Sequence, residues 1–410
     1  MKRQLYWFTN DLRIRDNPIL EEVLRSDFPH FLYVQDESLT ENSDLGFSRT
    51  SDKRLKFLDT ALTNLNDNLA SLGQLLSVQR GKPDEVISSY IKQNQIEHLH
   101  VARQFGWYEL TTLSTIKQKY PQLKVTEHDV TTLYTLDDIK SLLENITKGF
   151  SPFRNKTKKL PVREVHHYSN NLSLIDGTHH SDAIWQANEL SAQEHMDSYF
   201  RSEQPQHYKA TRDALTGWKF TTKLSPWLNH GILSPSQVMA ALKKHEDNYG
   251  SNESTYWIYF ELLWREYFIW LAHELGPKIY HLKGLRDKPP AYDKDKEALE
   301  SWRTGDTESD LVNASMRELN ATGYLTNRAR QIVASYLVNE LNQDWRYGAA
   351  WFERCLLDYH PAVNWGNWQY IAGVGVDPRG GRHFNIEKQT ERFDPDGKYR
   401  DKWLESAHAA

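Results

Sequence analysis

Cysteine is almost missing from this 410-residue chain, with Cys355 standing alone. One thiol cannot build an intramolecular disulfide framework or a Cys-based zinc finger, and it fits a reducing compartment. No run approaches about 18 uninterrupted apolar residues, so no membrane-spanning helix is expected. The opening run Leu5-Tyr6-Trp7-Phe8 meets Asp11 too soon for a secretion signal and reads as a first strand. A cytoplasmic protein of bacterial type, without membrane association, is expected. Basic excess is also missing: Lys and Arg number 50 against 55 Asp and Glu, a net charge of −5. That excludes a globally basic nucleic-acid binder and leaves a local basic cleft open. The chain has no G-x-x-x-x-G-K-[ST], no G-x-G-x-x-G after the first strand, and no H-E-x-x-H, C-x-x-C or G-x-S-x-G. P-loop, NAD-type, zinc-hydrolase and nucleophile-elbow readings therefore lose their support.

Aromatic residues are abundant, with 14 Trp, 21 Tyr and 15 Phe, and most of them must serve core packing. Over residues 1–130 short β-rich runs (Leu5–Phe8, Phe31–Val34, Leu75–Val78, His98–Val101, Leu123–Val125) alternate with helical stretches such as Lys53–Leu72 and Pro83–Lys92. This alternation predicts βαβ units, a doubly wound parallel sheet of Rossmann-like α/β type with helices on both faces. Residues 131–195 lose the pattern and read as a surface connector. Its pairs His166-His167 and His179-His180 lack partner spacing for a metal, and no metal is expected. From 196 to 410 almost nothing reads as strand, and long helical periods dominate, as in Ser251–Glu274 and Asp310–Asn342. The run Tyr256–Phe268 is apolar on nearly every face, which predicts a central buried helix whose Glu261, Arg265 and Glu266 need partners. The expected architecture is an α/β domain, a connector and a large all-α domain.

Three stretches then point to one family. The first is Trp7-Phe8-Thr9-Asn10-Asp11-Leu12-Arg13-Ile14-Arg15-Asp16-Asn17. The second is Thr221–Leu228 followed by Gly231-Ile232-Leu233-Ser234-Pro235. The third is Glu261-Leu262-Leu263-Trp264-Arg265-Glu266-Tyr267-Phe268, with Asn327-Arg328-Ala329-Arg330-Gln331 and Asp344-Trp345-Arg346 in order behind it. Together they resemble the photolyase/cryptochrome family across essentially the whole chain. The tail Asn364–Arg379, the run Arg382–Gln389 and the run Asn252–Trp257 are similar to its DASH cryptochrome branch, for which this chain is short.

The resemblance implies FAD held in the helical domain. Tyr208, Thr221, Thr222, Lys223, Leu224 and Ser225 match cofactor-binding positions, with hydroxyls and free N–H groups at a helix start suited to a pyrophosphate. Arg265 is a further cofactor-side arginine. Arg330 and Asp358 match an ion pair beside the flavin ring, and Asn364 matches the residue facing flavin N5. His360 stands where the family usually has Asp, which changes charge near the cofactor. The implied substrate is DNA carrying a cyclobutane pyrimidine dimer, preferentially single-stranded because an unpaired lesion is easier to flip out. Glu261 would hydrogen-bond or protonate a thymine carbonyl. Trp264 and Tyr370 would flank the flipped dinucleotide, with Asn327 and Gln331 lining the cavity. Arg212, Arg328, Arg382 and Gln389 match DNA-side positions.

Trp368 and Trp345 match two members of an electron-transfer chain to flavin, with Tyr292 at the third, surface position. The stretch Thr307–Arg317 departs from the family's T-G-x-P-x-V-D-A-x-M-R and is expected near the cofactor side. Glu109 resembles a contact to a folate antenna (5,10-methenyltetrahydrofolate). The implied activity is a light-driven lyase in which excited reduced FAD lends an electron to the dimer and recovers it, in a chain expected to be monomeric. The alternatives are a blue-light signalling flavoprotein without repair, and a nucleic-acid binding module with an incidental flavin. Salt dependence of binding to damaged and undamaged strands separates the last from the first.

Overall fold

The computed structural model describes residues 2–168, 172–180, 183–376 and 380–405. Asp377, Pro378 and Arg379 of the tail motif lie outside the described residues. Five strands, β1 (Arg3–Phe8), β2 (Phe28–Asp36), β3 (Leu76–Gly81), β4 (His98–Ala102) and β5 (Lys124–His128), form one all-parallel sheet in the order β3-β2-β1-β4-β5. The order reverses between β1 and β4, which opens a crevice at their carboxyl ends. Helices cover both faces. One face carries Leu5, Trp7, Leu99 and Val101 against Ile87, Ile91, Leu113 and Ile116. The other carries Tyr6, Phe8 and Phe31 and joins the large core of the helical part without a break. The expected strands thus sit within a few residues of their positions, because β-branched runs bounded by turn residues are a local signal.

Residues 131–157 are more than a surface connector. Helices Leu136–Leu143 and Phe150–Thr157 occupy this stretch, and Leu133, Tyr134, Ile139 and Phe153 are buried. Tyr134 reaches the helix Glu253–Leu275 through a 3.0 Å hydrogen bond between its hydroxyl and that of Tyr259. The stretch from Asp310 to Asn342 is likewise not one helix. Helix Asp310–Thr322 stops at Gly323, which has φ +74° and no room for a Cβ beside the Cys355 carbonyl. A new helix, Asn327–Ser335, starts under a Thr326 cap and runs into a π turn at Tyr336–Glu340. Among the described residues no helix is long and apolar enough to cross a membrane.

The helix Glu253–Leu275 is the axis of the helical part. A capping box between Asn252 and Thr255 starts it, Gly276 ends it, and Leu262, Leu263, Tyr267, Phe268 and Trp270 are buried along it. It packs against the helices Gln204–Thr211 and Pro361–Ile371. These three helices, together with the short helix Ser225–Asn229, enclose the site.

Candidate active site

A cavity of about 260 Å³ opens beside the central helix. Its floor is apolar, built by Leu228, Ile258, Leu262, Val363 and Trp368. Its polar groups come from five elements: Tyr208 from one helix, Thr222 and Ser225 from the next turn, Glu261 and Arg265 from the central helix, Asn327, Arg330 and Gln331 from another, and Asp358, His360 and Asn364 around the start of Pro361–Ile371. Thirteen positions singled out in the sequence, Leu224 and Trp368 included, therefore meet on one surface although up to 160 residues separate them.

Arg330 and Asp358 form the expected pair. Arg330 Nη2 donates to both Asp358 carboxylate oxygens at 2.7 and 3.0 Å, and its Nε donates to the Leu325 carbonyl at 2.9 Å. The guanidinium is fixed in the wall with its charge balanced. Asn364 Nδ2 donates to the Ala349 carbonyl at 3.0 Å, which orients the amide. Arg265 Nη1 donates to the Thr131 carbonyl at 2.9 Å and lies 3.6 Å from Glu266 Oε1. Burial pushes the Glu266 carboxyl up to about 7, against the pull of Arg265. His360 caps the helix Pro361–Ile371, and its buried Nδ1 has no hydrogen-bond partner. Burial, helped by the Arg265 charge, lowers the imidazole to about 3, so it is neutral at pH 7. A neutral ring thus stands where the resemblance implied an acid.

Glu261 lies at the mouth. Burial raises its carboxyl to about 7, with Arg212 pulling it down. Arg212 Nη1 donates to Glu261 Oε1, and the guanidinium stacks 4.4 Å from the centre of the Trp257 ring. Arg328 pairs with Asp213 at 3.1 Å and lies over Phe393. Arg382 covers the Tyr370 ring at 4.9 Å and donates to its hydroxyl. Gln389 is half-buried on the helix Ile386–Phe393, with Oε1 unpartnered.

The structure sets several of the expected residues in surroundings that the chain order does not reveal. Trp264 and Tyr370 meet edge to face, 5.7 Å between ring centres, and Trp264 stacks on Phe150 at 3.8 Å. They form one aromatic corner and not two facing walls. Of the run 221–225, Thr222, Leu224 and Ser225 line the cavity. Lys223 is buried behind it with φ +53°, its Nζ 3.4 Å from the Tyr324 hydroxyl, and burial lowers it to about 8. Thr221 bonds the same Tyr324 hydroxyl. The helix opening at Ser225 is five residues long, so its macrodipole is small and the hydroxyls matter more.

Glu109 is turned inward. Its carboxylate packs on Gly106 in a recess of about 10 Å³ at the β1/β4 crevice, beside Gln104, Arg265 and His360. Such a space holds about one water and not a pterin, so the folate expectation finds no support at this residue. The stretch 307–313 does not line the cavity. Asn313 closes that turn with bonds of 2.7 and 2.8 Å to Thr307, and Glu308–Leu311 face the helix Ile386–Phe393.

Trp368 lines the cavity and meets Trp302 at 6.2 Å and Phe352 at 5.1 Å. Trp345, fully buried, meets Trp365 at 5.8 Å, which in turn meets Tyr280 at 4.9 Å. Tyr292 is half-buried near Asp344, and burial pushes its hydroxyl well up. Sequence reading missed Asn229, whose side chain holds the Asp358 carbonyl, and Asn367 and Tyr359 in the cavity wall. Asn367 falls within the tail motif, and no local pattern marks the other two.

Comparison with known proteins follows the same division. A family model described as the FAD binding domain of DNA photolyase matches residues 257–409, and one described as DNA photolyase matches residues 4–167. Cryptochrome DASH of Idiomarina loihiensis is 40% identical over 414 residues, covering 97% of this chain and 92% of that protein. The crystal structure of a Synechocystis cryptochrome superposes with a TM-score of 0.91 at 34% identity, over 98% of this chain and 89% of that one. A class III photolyase from Agrobacterium tumefaciens superposes at 0.79 with 25% identity, over 98% and 86%.

Proposed function

Because the chain belongs to the photolyase/cryptochrome family, with an FAD-binding domain at its C-terminal end, we propose that it is a blue-light-dependent lyase that splits cyclobutane pyrimidine dimers in DNA, with single strands preferred. The observation that carries the reading is the shared cavity. Groups suited to a flavin, Arg330–Asp358 and Asn364, face the same space as Glu261, a carboxyl held near 7 at its mouth. The donor set fits FAD. Arg330 supplies a fixed positive charge for an electron-rich ring, the Nδ1 of His360 is a buried ring nitrogen with no hydrogen-bond partner in the protein, and Thr222 and Ser225 supply hydroxyls for phosphates. Bound FAD supplies the light absorption and the electron that opens the dimer.

The protein's own residues bind and position the substrate. Trp264 and Tyr370 offer a stacking corner worth about 1–3 kcal/mol per base. Asn327 and Gln331 present amides to the base edges. Glu261, when protonated, donates to a thymine carbonyl and holds that proton through the ring opening. Arg212, Arg328 and Arg382 grip phosphates at the rim, and each contact makes affinity salt-dependent.

The test is illumination of the purified, reduced protein with a thymine-dimer oligonucleotide, single-stranded and as duplex. Restored thymine absorbance on the single strand alone is the expected result. Repair of both would remove the strand preference. Repair of neither, with flavin bound, would refute the lyase reading and leave the two non-repair readings.

A further inference from the structure

Among the described residues the two histidine pairs visible in the sequence make no cluster: His166 lies 2.7 Å from Glu21, and His179 bonds Asp176. A tighter group lies on the sheet of the α/β part, away from the cavity. His98 and His100 alternate on β4, so both point to the same face, and the register of β4 with β5 sets His128 opposite Ala102 on that face. The His98 and His100 ring centres lie 3.7 Å apart, tilted by 38°, and the His100 and His128 rings stack 5.3 Å apart. The helix Pro18–Leu24 covers this face and brings Glu22 down onto it.

The ligand atoms converge. His100 Nδ1 is 3.1 Å from His128 Nε2 and 3.9 Å from Glu22 Oε1. One ring nitrogen of His98, one of His100 and a carboxylate oxygen of Glu22 all lie within 4.8 Å of one another. Ligands about 2.0–2.1 Å from a tetrahedral ion stand about 3.3 Å apart, so small rotamer shifts close the set. The outer contacts suit ligation as well. His100 Nε2 donates to Gln4 Oε1 at 2.9 Å, which leaves the lone pair on Nδ1, the atom that faces Glu22 and His128. His98 Nε2 is bonded to Thr126 Oγ1 at 2.8 Å. A second hydrogen bond of this kind orients a ligating imidazole. His100 is fully buried while the Glu22 side chain is 49% exposed, which gives an ion a path in.

We propose that Glu22, His98, His100 and His128 form a binding site for one divalent transition-metal ion of the zinc type, which ties the helix Pro18–Leu24 to β4 and β5. The nitrogen-rich donor set selects zinc, cobalt, nickel or copper over magnesium and calcium. The site is independent of the lyase reading and is tested without flavin or light.

Tag-free, full-length protein is dialysed against chelator. It is then titrated with zinc chloride by calorimetry and with cobalt chloride by visible absorbance. The expected result is one ion per chain, the visible bands of four-coordinate cobalt, and a rise in thermal midpoint on loading. Glu22→Gln, at a half-exposed position that tolerates change, and Gln4→Ala should each weaken binding about tenfold or more. His100→Gln should abolish it, and His128→Gln serves if that variant does not fold. Absence of stoichiometric binding by the parent protein overturns the proposal. So does binding that survives Glu22→Gln and His128→Gln unchanged, or binding lost on replacing His179 and His180 instead. In each of these cases the three rings are packing partners only.

Discussion

At the scale of single residues, Glu261 and Arg212 set opposing demands on one proton. Burial raises the Glu261 carboxyl to about 7, and the Arg212 guanidinium lowers it. Only the protonated acid donates to a carbonyl, so lesion binding and repair should fall as pH rises through about 7. Glu261→Gln keeps a donor that does not titrate and should flatten that profile, whereas Glu261→Ala should cut the repair rate by about 100-fold or more. Arg212→Ala removes the lowering charge, so the fall should move to higher pH even as affinity for DNA drops. Single-turnover repair across pH 6–9 on the three variants checks the set; an unshifted profile in Arg212→Ala would separate the two side chains. His360 acts on the cofactor side of the same cavity. Its ring is neutral where Asp would carry a negative charge, so His360→Asp should lower the reduction midpoint of bound flavin, measured by spectroelectrochemistry.

At the scale of elements, the central helix Glu253–Leu275 does two jobs with two faces. Its buried face anchors the fold. Its half-exposed edge, Tyr256, Trp257, Phe260 and Glu261, leads out of the cavity beneath basic groups: Lys158 over Tyr256 at 5.5 Å, Arg154 over Phe260 at 5.6 Å and Lys209 over Trp257 at 5.8 Å. Alternating aromatic and basic groups of this kind would suit a single strand despite the net charge of −5. Trp257→Ala should weaken binding of an undamaged single strand by about 5–100-fold, the worth of a stacked base. Lys158→Ala should reduce the salt slope of log affinity by about 0.7, one phosphate on a single strand. Fluorescence anisotropy over a salt series reads both, and an unchanged slope and affinity would place the strand elsewhere.

At the scale of the whole molecule, the α/β and helical parts share one core and lock at their seam. Arg13 is fully buried, and its guanidinium donates to the carbonyls of Gly231 at 3.0 Å and of Asp16 and Val130 at 2.9 Å. Gly231 has φ +66°, and a Cβ there would strike the Asn10 backbone across the seam. Arg49 pairs with Glu353 at 2.8 Å, and Arg354 donates to the Thr50 carbonyl at 3.0 Å. The molecule should therefore unfold in one thermal transition by both near- and far-UV circular dichroism. Gly231→Ala should lower stability by about 2–5 kcal/mol, from the left-handed backbone and the overlap. Two resolved transitions in the parent protein would show that the seam is weaker than its contacts imply.

The sequence by itself determined what depends on neighbours along the chain. The alternation of β-rich runs and helical periods sets the parallel sheet, and the apolar run from Tyr256 to Phe268 sets the central helix. Short motifs such as 261–268 and 327–331 point to the family and name most of the cavity's polar groups, because motif residues keep their spacing on a helix. Tertiary structure alone decided relations between distant segments. It turned Glu109 inward at the sheet crevice and sent Lys223 behind the cavity wall. It set Trp264 against Tyr370 as a corner, paired Arg212 with Glu261, and gathered His98, His100, His128 and Glu22 on one sheet face. Side-chain direction at such points is fixed by packing between elements far apart in the chain, and no local periodicity carries that information.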